Sequence, residues 1–193
     1  PYGDDITRQV GYFNECMTGF EHQVASHMIA EGMVEEGLVI SRTIHDRYNA
    51  AKRNPYNEIE CSDHYARAMA SYGSFITICG FTYHGPKGHI GFAPKLHPEN
   101  FKAAFTVAKG WGTYSQQRSE NKMNATLKVC YGNLTLNKVF LELNDQHRAD
   151  NVTVTLNGKI VNAEITQNGN KAEVKFVDNI SIKENQKLSI DVA

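Results

Sequence analysis

The chain has 193 residues, 41% of them hydrophobic and 21% charged, with a net charge of −1. Those values are ordinary for a globular protein of one or two domains. They exclude a dense basic stripe for nucleic acid or an anionic membrane, and no apolar run approaches the roughly 20 residues that cross a bilayer.

The chain opens on Pro1 with no charged-then-apolar leader behind it, so it reads as processed or cut from something longer, and its compartment stays unknown. Cys16, Cys61, Cys79 and Cys130 lie far apart, with no CxxC pair and no Cys/His zinc spacing. Reduced, mostly buried thiols are expected.

Helical periodicity comes first. Met17, Phe20, Val24, His27, Met28 and Glu31 recur at three- and four-residue steps, which predicts a helix over 16–31 with Glu15 at its start. Val34, Leu38, Ile40, Ile44 and Tyr48 predict a second over 33–51. Ala66, Met69, Ala70, Phe75, Ile76 and Cys79 predict a third over 63–79. Ser62 or Asp63 can cap it, because a side-chain oxygen accepts the free amides of a first turn, and Asp63 can face Arg67 one turn on. Gly32 and Gly80 fall where helices stop.

The segment 54–73 carries Glu58, Glu60, Asp63, His64, Tyr65 and Arg67 at the mouth of the third helix. Charged side chains are rarely buried without partners, so this crowding reads as a polar ligand site. With Glu15 it is expected to form one wall of a carbohydrate pocket. Glu58 and Glu60 share a face if extended, with Cα atoms about 6.5–7 Å apart. That loosely fits the separation of glycosidase carboxylates, but neighbours on one strand rarely straddle a substrate. They read as sugar-binding or helix-entry acids before they read as a catalytic pair. Arg67 offers a rigid fork of donors to hydroxyls or carboxylates, and His64 is a further ligand contact.

Metal and cofactors are not expected. His22 and His27 are five apart, on different helix faces, and no HExxH occurs. Gly85-Pro-Lys-Gly88 lacks the Lys-Ser/Thr of a phosphate loop; His84 and His89 flank it as turn residues. The stretch 82–100, rich in Gly, His and Pro, reads as a linker or small hairpin between a helical part, 1–81, and a β part, 101–193.

From 101 onward the pattern alternates with period two. Thr126–Tyr131, Val152–Leu156, Ala163–Thr166, Ala172–Phe176 and Leu188–Val192 predict strands. Asn157-Gly158 predicts a type I′ turn, and Asn168-Gly169 a second turn. Short strands at this spacing indicate a β-sandwich. Trp111 reads as core at a strand bend, with sugar stacking as the other reading. The Asn-x-Ser/Thr matches at Asn124, Asn133, Asn151 and Asn179 are assigned no function. Seven of eight histidines precede residue 98, so the chemistry is expected in the helical part and support from the β part.

The run Glu15-Cys-Met-Thr-Gly-Phe-Glu-His-Gln-Val-Ala-Ser-His-Met-Ile-Ala-Glu-Gly32, the block Asn54–Gly73, then Gly80-Phe-Thr-Tyr-His-Gly-Pro86 and Gly91-Phe-Ala-Pro94 resemble a bacterial branch of glycoside hydrolase family 116. That family comprises the non-lysosomal glucosylceramidases, or bile acid β-glucosidases. The resemblance covers about residues 10–115. It implies the last helices, about three, of an (α/α)6 toroid followed by an all-β sandwich-like domain, an α+β chain overall. It also implies a retaining β-glucosidase whose nucleophile Glu and acid/base Asp lie upstream of the matched region. Glu60, with Glu58 as the alternative register, would match a glucose-binding Glu. Arg67 in Tyr65-Ala-Arg-Ala68 would match the family's Tyr-x-Arg-Pro arginine, and Glu15 a helix-start Glu lining the pocket. Two departures stand out: Ala68 replaces the proline, and the spacing from Glu60 to Arg67 is shorter than in the animal enzymes.

The implied partners are a β-glucoside or other glycoside and the missing N-terminal part of the same protein. Self-association through an open helical side is also expected. The chain alone is expected to be inactive. A non-enzymatic carbohydrate-binding or assembly module is the competing expectation.

Overall fold

The computed structural model describes residues 18–47 and 68–193, and the chain divides into two compact units, 1–78 and 79–193. The architecture is mixed α+β: among the described residues, three helices precede ten strands. The helices are α1 (Thr18–Ala30), α2 (Val34–Arg47) and α3 (Ala68–Cys79). Positions 16–17, 48–51 and 63–67 of the expected spans lie outside the described residues.

Gly32 ends α1 with φ 90°. Its amide donates to the Ile29 carbonyl at 3.2 Å, and the Met33 amide reaches back to Met28 at 2.8 Å. This pairing satisfies carbonyls the last turn leaves open. The face that packs is not the one the apolar periodicity indicates. Thr18, Gly19, His22, Ala25 and Ile29 are buried, whereas Phe20 and Val24 are 58% and 52% exposed.

The cause is close approach through small residues. A Cβ added at Gly37 of α2 would stand 2.6 Å from Ile29 Cγ1 and 2.7 Å from the Ala25 carbonyl. On the side toward α3, Ser26 and Ser74 share a hydrogen bond of 3.0 Å. A fork closes the pair α1–α2: Arg47 donates from Nη1 and Nη2 to the two carboxylate oxygens of Glu21, each at 2.7 Å. Hydrogen bonding to Arg47 is the main cause holding the Glu21 carboxyl below its ordinary value.

The β unit contains β1 (Thr82–His84), β2 (His89–Phe92), β3 (Asn100–Val107), β4 (Gly110–Arg118), β5 (Met123–Glu142), β6 (Val152–Leu156), β7 (Lys159–Val161), β8 (Ala163–Asn168), β9 (Lys171–Lys183) and β10 (Lys187–Val192). One sheet runs β3-β4-β5-β10-β6-β7, all neighbours antiparallel. The other runs β1-β2-β5-β9-β8, with β2 parallel to β5. The 20-residue strand β5 belongs to both. The segment 82–100 thus holds the hairpin β1–β2, joined by a 3-10 turn at Gly85–Lys87.

β5 serves two sheets by changing which side chains it buries. Met123, Ala125, Leu127 and Val129 are buried, then Leu134 and Leu136, then Val139 and Leu141. Alternation has period two, so each change of parity needs an irregularity. The first lies beside Gly132 (φ 77°) and the register shift at Trp111/Gly112. The second coincides with the shift between Leu136 and Lys138. A side chain at position 132 is ruled out twice, by φ and because its Cβ would meet the Lys109 carbonyl oxygen at 2.0 Å.

Both sheets contribute to a single apolar core. Phe92 of β2 stacks flat on Tyr114 of β4, ring centroids 3.8 Å apart, and meets Phe105 of β3 edge-on at 6.0 Å. The buried Tyr114 hydroxyl donates to Gln116 Oε1 at 2.6 Å, and Gln116 Nε2 donates to the Pro98 carbonyl, so these two buried side chains are paired. Asn157 and Gly158, with φ 48° and 79°, make the turn between β6 and β7 type I′ as expected. At the β8–β9 turn it is Gly169 that takes positive φ, 61°.

Candidate functional site

Glu15, Glu58, Glu60, His64 and Arg67, the residues expected to hold a sugar, all lie outside the described residues, as do Cys16 and Cys61. Cys79 and Cys130 are free thiols, and burial pushes the Cys79 thiol up to about 11. Among the described residues no group of His, Cys, Asp and Glu is placed to hold a metal ion, and no helix is long and apolar enough to cross a membrane.

His84 and His89 flank the 3-10 turn, and His84 Nδ1 accepts from the Lys87 amide at 3.3 Å. His147 is a residue the sequence did not single out. It is 1% exposed, and neither ring nitrogen has a hydrogen-bond partner in the protein. Burial lowers its pKa, opposed by Asp150. Its segment is held by Gln167, which donates to the His147 carbonyl at 2.8 Å and accepts from the Ala149 amide at 2.8 Å.

The β unit gathers polar side chains on the outer face of the β3-β4-β5-β10-β6 sheet. The register aligns Asn100, Gln117, Asn124, Asp191 and Thr153 in one row across it. The inner neighbours of that row include Gln116, Ala125, Ile190 and Val154, all buried, so strand alternation turns the row outward. Asn124 Nδ2 donates to Asp191 Oδ1. The row floors an open depression of about 780 Å³, whose rim includes Glu99, Arg118, Ser119, Lys122 and Asn151. Arg118 is already committed, donating to the carbonyls of Glu142 and Leu143 at 3.0 and 3.1 Å. The next row inward along the strands is Lys102, Ser115, Thr126, Ser189 and Thr155.

The other end of the same face corrects the expectation that Trp111 is core. Trp111 is 49% exposed, and Tyr131, directly opposite it in register, is 62% exposed. Alternation along β4 is unbroken, so Trp111 emerges on the same face as Thr113, Ser115 and Gln117, while Gly112, Tyr114 and Gln116 are buried. The extra residue lies on β5, where Val129 pairs with Gly112 and Tyr131 with Trp111, and this bulge turns Tyr131 to the outer face. Between the aromatic pair and the hydroxyl row, Lys128 and Lys187 oppose each other. The sequence signal was present in Gly110-Trp-Gly and Tyr131-Gly132, glycines packed around two aromatics.

No protein-family model matches the chain, and neither does any curated protein. Three solved structures similar to part of it are glycoside hydrolases. An α-L-rhamnosidase from Dictyoglumus thermophilum is 14% identical with a TM-score of 0.34, over 70% of this chain and 15% of that one. A GH127 β-L-arabinofuranosidase from Geobacillus stearothermophilus T6 is 13% identical with a TM-score of 0.36, over 75% of this chain and 22% of that one. A third, described as a glycoside hydrolase, is 16% identical with a TM-score of 0.36, over 66% and 19%. The chain therefore spans between 15% and 22% of the length of these proteins.

Proposed function

We propose that the chain is the C-terminal part of a retaining β-glucosidase of the glucosylceramidase-like kind. In this reading the helices complete an (α/α)6 toroid and residues 101–193 form a trailing sandwich-like domain. The observation that carries the reading is the set of sequence blocks at Glu15–Gly32, Asn54–Gly73, Gly80–Pro86 and Gly91–Pro94. Packing adds support. Phe20, Val24, Val39 and Met69 are 52–82% exposed, and apolar surface of that kind is what further helices of a toroid would cover.

In the full-length protein, hydrolysis would run in two steps through a glycosyl-enzyme intermediate, on a Glu and an Asp supplied from upstream. Glu60, Arg67 and Glu15 would orient sugar hydroxyls, with Glu58 and His64 at the margin. Positioning accounts for a large share of such a barrier, because the reacting groups no longer search for alignment. Arg67→Ala in the full-length protein is expected to lower kcat/KM for an aryl β-glucoside by about 2–4 kcal/mol, the scale for losing charge-assisted hydrogen bonds to substrate. Unchanged kcat/KM removes Arg67 from the site. The competing reading, a non-enzymatic carbohydrate-binding or assembly module, is favoured by the outward Trp111 and wins if the full-length protein hydrolyses no glycoside.

A further inference from the structure

The geometry points to a second carbohydrate site, independent of the hydrolase reading: the outer face of the β3-β4-β5-β10-β6 sheet binds an extended oligosaccharide that carries carboxylate groups. Three observations share that face. Trp111 and Tyr131 stand exposed and opposite one another. Aromatic rings present an apolar surface with a polar handle, suited to the C–H face of a pyranose. Alternation along β4 sets Trp111 outward, and the bulge on β5 beside Gly132, which tolerates no side chain, brings Tyr131 to the same face.

The middle of the face is basic. Lys128 and Lys187 are exposed and directly opposed across β5 and β10, and no ion pair to either is present among the described residues. Like charges in that relation destabilise a sheet, and an anion bound between them relieves the repulsion. Lys102 adds a third positive group one row on, opposite Ser115. A neutral glycan would use the rings and leave this charge uncompensated; a uronate-bearing one uses both.

The far end supplies hydrogen bonds. Ser115, Thr126, Ser189 and Thr155 present hydroxyls in one row, and Gln117, Asn124 and Asp191 floor the depression in the next. From Trp111 to Gln117 the face runs about 20 Å at the ordinary strand rise, room for a chain of several sugar rings. The depression, about 780 Å³, lies within the range of small-molecule sites.

Trp111 is the chain's one tryptophan, so its emission reports this face alone. The test titrates the 193-residue chain with hexagalacturonate and with cellohexaose. Hexagalacturonate is expected to shift Trp111 emission and to protect it from acrylamide, at least tenfold more tightly than cellohexaose. Tyr131→Ala is expected to weaken the binding at least tenfold. So is the double variant Lys128→Met, Lys187→Met, and both should keep wild-type circular dichroism.

No emission change with either sugar overturns the proposal. So does equal binding of cellohexaose, equal binding of polyglutamate, or full retention of binding in Tyr131→Ala. In the full-length protein, a Trp111 that acrylamide cannot reach would mean the rest of the protein covers the face, and also overturns it. Failure of the hydrolase reading shows up in aryl β-glucoside turnover and leaves this titration untouched.

Discussion

The two units bury apolar surface in opposite ways. The β unit buries a continuous cluster of large side chains, with Phe92, Tyr114, Leu127, Val174, Phe176 and Ile190 each at most 2% exposed. Among the described helical residues, small ones let the helices approach around Ile29 and Ile44. Ala25, Gly37, Ser26 and Ser74 bring backbones together, while Phe20, Val39 and Met69 face outward at 58%, 65% and 82%. A sheet pair closes its own core once both inner faces meet. Helices that pack through their narrow faces keep their broad apolar faces for something else. The large closed core lies in the β unit, and the helical unit leaves Phe20, Val24, Val39 and Met69 exposed.

That contrast can be broken most forcefully in the β core. Phe92→Ala removes the ring stacked 3.8 Å from Tyr114 and is expected to cost about 3–5 kcal/mol. Urea unfolding followed by Trp111 emission should show it, while the helical ellipticity keeps its own midpoint. A common midpoint for both signals, displaced together, would mean the units do not unfold separately. Gly37→Val acts on the other side of the comparison. With Ile29 Cγ1 at 2.6 Å from the new Cβ, overpacking is expected to cost about 1–3 kcal/mol, seen in ellipticity and not in Trp111 emission.

Smaller effects sharpen the picture. The paired change Phe20→Ser, Val24→Ser removes exposed apolar surface and should leave stability within about 0.5 kcal/mol. It should also abolish self-association in solution scattering; a wild-type chain that is already monomeric would show that these faces recruit no second copy. The smallest effect is on pH. Burial depresses the pKa of His147, so the unfolded chain takes up a proton that the folded one refuses. Stability of the β unit is therefore full above the ordinary histidine value of about 6.5 and declines as pH falls toward the lowered one. Melting temperatures between about pH 7.5 and about pH 5.5 should fall in the wild type, and fall less in His147→Leu.

Local chemistry was legible where local chemistry decides. Asn157-Gly158 adopts positive φ at both positions, and Gly32 closes α1 by the hydrogen bonds a C-terminal glycine permits. Long-range packing was not. A stripe of Met, Phe and Val marks an apolar face but does not say that it is the covered one; Ala25 and Gly37 won that contest by letting backbones approach. β5 escaped recognition beyond Thr126–Tyr131 because its alternation breaks near Gly132 and again near Lys138, and a period-two search stops at such breaks. Trp111 was misjudged on residue type, since a lone tryptophan suggests core, whereas alternation along β4 sets it outward with Thr113, Ser115 and Gln117. Glu15, Glu58, Glu60, His64 and Arg67 remain a sequence proposal, carried by the blocks around them.

Membership of β5 in both sheets has a kinetic consequence. Neither sheet can fray away from the other along this strand without exposing amides that the other still holds. The central amides of β5 are therefore expected to exchange with deuterium only through global opening of the unit, as the slowest class in the molecule. Those of β1 and β7, at the sheet edges, should exchange orders of magnitude sooner through local opening.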